Sequence, residues 1–80
     1  MTIIIRTPWH TDDGRADIEV EFTFEGLRPE LGDIDITRAW WVALDRTLTE
    51  FTDAEIAPVL ASAHVREACR DVATDRVMGR

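Results

Sequence analysis

The nine residues from Ala16 to Phe24 constrain this chain more than any other stretch. Ile18, Val20, Phe22 and Phe24 alternate with Asp17, Glu19, Glu21 and Thr23. Such period-two alternation describes a strand with one buried face and one wet face. A half-buried strand needs strand neighbours and a layer to cover its apolar side. Both must come from a chain of 80 residues, which is enough for one small domain with a thin core. We therefore treat 1–80 as a single unit, with a sheet over about 2–49 and a helical region over about 53–78.

A second alternating stretch runs from Asp33 to Ala43. Ile34, Ile36, Trp40 and Val42 fall on one side, and Asp33, Asp35, Thr37, Ala39 and Trp41 on the other. Arg38 lands on the apolar side and breaks the pattern; its stem can be buried while its head reaches water. Thr2 to Arg6 is β-branched and reads as a short strand, which Pro8 is expected to end. Trp9 to Arg15 is expected to be a polar turn built on Asp12-Asp13-Gly14. The loop from Glu25 to Gly32 carries Gly26, Pro29 and Gly32. Leu44 to Glu50 turns back, with room for a short strand around Thr47 to Thr49.

Thr52-Asp53-Ala54-Glu55 spells a capping box at a helix start, with Phe51 at the staple position before it. Ile56, Val59, Leu60 and Ala63 then form one apolar stripe, and Val65, Ala68, Cys69, Val72 and Ala73 a second. The stripes are out of phase across Ser62 to His64. This predicts two helices with Ser62 as the second N-cap, one kinked helix being the alternative. Pro58 removes one bond inside the first. The expected fold class is α+β: roughly three antiparallel strands packed against one or two C-terminal helices.

Charge is distributed unevenly. Sixteen acids against nine bases give a net charge of −7, which excludes binding of nucleic acid through a broad basic face. Residues 1–35 hold nine acids and three arginines, whereas residues 56–80 hold three acids and four arginines. Pairing the two long strands by their apolar faces sets Phe22 against Ile36 and Phe24 against Ile34. The outer face then carries Asp17, Glu19, Glu21, Glu25, Asp33 and Asp35, with Glu25 opposite Asp33 and no arginine on either strand's outward positions to relieve them. Like charges facing one another cost stability. They can simply keep the protein soluble and its edges apart, or they can present carboxylates to a basic partner. Trp41 is the outward tryptophan by parity, either an exposed interface anchor or a ring covered by a loop or the helical segment.

Other chemistries find little purchase. His10, Asp12 and Asp13 share one turn without the convergent ligands of a zinc or calcium site. Cys69, the lone cysteine, reads as a small buried hydrophobe and lies on a different helix face from His64. The glycines are dispersed, so no phosphate loop forms. Neither a metal nor a cofactor is expected, and the chain is read as a non-enzyme. The absence of disulfide pairing and of a signal-like start points to a cytoplasmic protein.

The acidic strand Asp17-Ile18-Glu19-Val20-Glu21-Phe22, the Pro/Gly loop, the second acidic strand Gly32-Asp33-Ile34-Asp35-Ile36 and the Thr52 helix start resemble the layout of small acidic proteins encoded by phages and prophages, anti-CRISPR proteins among them. This resemblance spans roughly residues 16–60 and carries no site motif. It implies an inhibitor that mimics DNA in charge and blocks the DNA-binding surface of a host defence complex, such as a type I CRISPR effector. A virion or accessory interaction protein, or an acidic antitoxin, is the competing expectation.

Overall fold

A computed structural model describes residues 2–11, 14–26 and 33–79. The architecture is α+β. Strands β1 (Thr2–Thr11), β2 (Gly14–Thr23), β3 (Asp35–Val42) and β4 (Leu48–Glu50) form one antiparallel sheet in sequence order, followed by helices α1 (Asp53–Ala61) and α2 (Ala63–Val77). The sheet has four strands rather than three, because the returning segment Leu48–Glu50 pairs with β3.

Pro8 does not end β1. It sits within the ladder opposite Asp17. An edge strand tolerates proline where its nitrogen faces away from the neighbouring strand, so β1 continues to Thr11 and the expected turn shrinks to the connection between Thr11 and Gly14. Gly14 takes φ +132, a conformation that side-chain-bearing residues rarely adopt. Asp12, Asp13 and the expected loop residues Leu27 to Gly32 lie outside the described residues.

The alternation of β2 is realised as expected. Ile18, Val20 and Phe22 are fully buried, and Phe22 pairs with Ile36. The ladder between β2 and β3 is paired as far as Thr23 and Asp35, so Glu25 and Asp33 fall just beyond it. The helices cover the inner face. Val59 of α1 and Val65, Cys69 and Ala73 of α2 join Ile3, Ile18, Val20, Phe22, Phe24, Ile34, Ile36, Ala39 and Phe51 in one core. Arg66 ties the layers together: its Nε donates to the Leu60 carbonyl at 2.9 Å and its Nη1 to the Ile34 carbonyl at 2.8 Å.

The helix boundaries follow the sequence. The Thr52 hydroxyl accepts from the Glu55 N–H, and Glu55 accepts from the Thr52 N–H at 2.9 Å. Ser62 ends α1 in an extended conformation and caps α2 by accepting from the Val65 N–H. Two helices are therefore present, not one kinked helix.

Candidate functional site: the open sheet face

The helices occupy one side of the sheet, and the described residues leave the other side open. The side chains on it follow from register. Residues directly opposite one another in an antiparallel ladder share a face. Across β1 and β2 the outward pairs are Ile4 with Glu21, Arg6 with Glu19, Pro8 with Asp17 and His10 with Arg15. Across β2 and β3 they are Glu21 with Arg38, Glu19 with Trp40 and Asp17 with Val42. Glu50 and Leu48 extend the rows onto β4.

Two sequence-based expectations fail here, the first through a bulge. The β2–β3 register shifts between Glu21 and Phe22, so that Ile36 and Arg38 pair with consecutive residues and Thr37 is extra. A bulge of this kind reverses the parity of everything that follows it. Trp41 consequently points inward, opposite fully buried Ile18. Its ring stacks on Phe51 at 4.2 Å between centroids and 22° between planes, and its Nε1 donates to Glu55 at 3.4 Å. Trp40 is the outward tryptophan, partly buried, with the Arg38 guanidinium 4.9 Å from its ring centroid.

The second correction concerns charge. Asp17, Glu19, Glu21 and Asp35 do share the open face, and Glu25 and Asp33 are exposed beyond its paired end. But arginines reach them. Arg6 of β1 bonds Glu19 at 2.7 Å. The bulge turns Arg38 outward, where it bonds Glu50 and lies opposite Glu21. That contact raises the Arg38 pKa and holds the Glu50 carboxyl below its ordinary value. Glu21 also accepts from the Thr37 hydroxyl at 2.9 Å. The middle of the strip is thus a mixed network, and the carboxylates without an ion pair among the described residues are Asp17, Glu21, Glu25 and Asp35 on this side of the molecule.

One end of the face is basic. Arg6, Arg15 and Arg46 surround an open recess of about 660 Å³ with Asp17, Val42 and Leu44. Arg46 stands there in the left-handed region at φ 69, within a turn closed by Ala43 N–H to Thr47 carbonyl and Arg46 N–H to Ala43 carbonyl bonds. In the same turn the Thr47 N–H bonds Asp45 and lowers its pKa. The opposite end, with Asp33, Asp35 and Glu25, is acidic. Sequence reasoning missed Arg6, Arg38 and Trp40. The only available signal was Arg38 itself, a charge on a supposedly apolar side.

Cys69 lies fully buried in the core, and burial pushes its thiol up to about 11 against the opposing pull of Arg66. It is a packing residue. Among the described residues no three metal-ligating side chains cluster, and no helix is long and apolar enough to cross a membrane. No family model, curated protein or solved structure matches this chain.

Proposed function

We propose that this chain is a non-enzymatic binding protein whose open sheet face docks on a basic, nucleic-acid-binding surface of another protein. In its sharpest form it is an inhibitor that keeps a type I CRISPR effector from DNA. The observation that carries this reading is the gathering of Asp17, Glu19, Glu21 and Asp35 on one uncovered face, with a partly buried tryptophan among them. Carboxylates on a rigid sheet cost little further ordering when a partner arrives. Opposite charge would speed the encounter and make it salt-sensitive. The internal pairs narrow the contact: Asp17, Asp35 and Glu25 are available to foreign guanidinium and ammonium groups, while Glu19 is held by Arg6. Trp40 takes the anchoring place expected of Trp41.

The variants that test this avoid Glu19, whose reversal would set a cation against Arg6. The double substitution Glu25→Lys and Asp35→Lys changes side chains without an ion pair among the described residues, at the acidic end of the face and away from the Arg6, Arg15 and Arg46 recess. Binding to a purified CRISPR effector is measured with and without competing target DNA. Docking at the DNA surface predicts one-to-one binding that DNA displaces and salt weakens, with at least about a tenfold loss in the double variant. A bound effector that still takes up DNA normally would sink the inhibitor reading in favour of an accessory interaction protein.

A further inference from the structure

Edge strand β1 presents a surface that the open face does not explain. Among the described residues no strand pairs with its outer edge, because the sheet order begins at β1. Pro8 fixes which backbone groups lie there. Proline has no N–H to give, so its place in the ladder opposite Asp17 is one whose nitrogen faces away from β2. By the alternation of a strand, Thr2, Ile4, Arg6 and His10 also turn their N–H and C=O groups to the open edge. Pro8 interrupts that row. Thr2 to Arg6 leaves it continuous, and this half carries none of the usual protections of an exposed edge except Arg6 at its end.

The same five residues are self-complementary. Thr2-Ile3-Ile4-Ile5-Arg6 laid antiparallel on its own copy, with a two-fold axis at Ile4, pairs Ile3 with Ile5, Ile4 with Ile4, and Thr2 with Arg6. Every central pair is β-branched, a combination that favours sheet formation. Ile4 is 54% exposed on the open face, and this pairing would cover it. Shifting the axis to Arg6 would oppose two guanidinium groups and set Pro8 against an N–H-donating position.

Charge identifies the occupant. Among the described strands β1 alone lacks an acidic residue, since β2 carries Asp17, Glu19 and Glu21, β3 carries Asp35 and β4 carries Glu50. Two copies of a chain with net charge −7 repel over most of their surfaces. Among the described strands, β1 is the one along which a second copy approaches with least repulsion. We propose that β1 pairs with β1 of a second copy through Thr2–Arg6, joining two four-stranded sheets into one of eight with the helices on a common side. Such a dimer is closed by its two-fold symmetry and covers the β1 edge of each copy, leaving β4 at either end of the joined sheet.

Sedimentation velocity over a wide concentration range tests this on the full chain. The expected result is a reversible shift from one chain to two. Ile4→Pro places a second proline at the parity Pro8 already tolerates, so it removes an outward N–H while leaving the β1–β2 ladder bonded. Ile4→Lys opposes two ammonium groups across the axis and leaves the backbone intact. Both should keep the parent's circular dichroism, and each should raise the dimer dissociation constant at least about tenfold. Added salt should strengthen the dimer by screening like charge, the reverse of its effect on docking at a basic surface. A parent that stays single at every concentration overturns the proposal, as does a dimer that both variants leave unchanged.

Discussion

At the scale of single residues, Trp40 and Trp41 are adjacent and chemically identical, and the fold gives them opposite surroundings. Trp41 meets Phe51 in a stack and lies over Ile18. Trp40 meets Arg38 and, across the ladder, Glu19 and Glu50. Removing a large ring from an aromatic stack leaves a cavity and loses apolar burial. Trp41→Ala should therefore cost about 2–4 kcal/mol, short of the full core figure because the ring is only partly buried. Trp40→Ala forfeits an exposed cation–π contact and modest area, a cost of about 1 kcal/mol. Urea unfolding of the two variants measures both. A larger loss from Trp40 would place that ring in the core and contradict the bulge.

At the scale of elements, the bulge governs which way β3 faces. Thr37 and Arg38 are both exposed, and together they occupy the space of one residue opposite Glu21. Deleting Thr37 restores a regular ladder in which Ile36, Ala39 and Trp41 still face inward. The lost contacts are the Thr37 hydroxyl's bonds to the Glu21 carbonyl and carboxylate, both exposed. The deletion should thus fold and cost less than about 2 kcal/mol. Deleting Ala39 has the opposite effect, turning Trp40 inward and Trp41 outward, and should abolish cooperative thermal unfolding. Equal damage from both deletions would mean that Thr37 is not the extra residue. The same bulge marks where sequence reading reached its limit. The alternation of β2, the Thr52 capping box and the Ser62 break are local patterns, and the pairing of Phe22 with Ile36 follows from matching the apolar faces of two such alternations; all four were legible. A bulge made of two polar residues leaves apolar spacing intact up to Ile36 and announces itself only through the misplaced Arg38. The Arg6–Glu19 pair was hidden differently. It depends on β1 lying beside β2 in the register that sets Arg6 opposite Glu19, a non-local contact that no run of residues in either strand encodes by itself.

At the scale of the whole molecule, the carboxyl groups with lowered pKa are concentrated in one stretch rather than spread with the net charge. Asp45, Glu50 and Glu55 are all held below their ordinary values, chiefly by the Thr47 backbone N–H, by Arg38 and by the Thr52 backbone N–H respectively. All three lie in the chain that leads from β3 through β4 into α1, where the sheet is joined to its covering layer. A group whose folded pKa is depressed releases its proton more readily in the folded state. Its contribution to stability is present above the unfolded value, near 4.5 for the two glutamates, and disappears as pH falls through the lower folded value. Acidification also relieves the mutual repulsion of sixteen acidic residues, which acts in the opposite sense. The two effects differ in their response to Glu55→Gln. The amide can still accept from the Thr52 N–H but carries no titrating charge, so the variant loses stability at pH 7 and keeps the capping geometry. Denaturant unfolding of parent and variant from pH 7 to pH 3 should show the gap between them narrowing as pH drops below 4.5. A gap that stays constant across this range would show that the Glu55 charge contributes nothing at the helix start, leaving Asp45 and Glu50 to account for any acid lability of the junction.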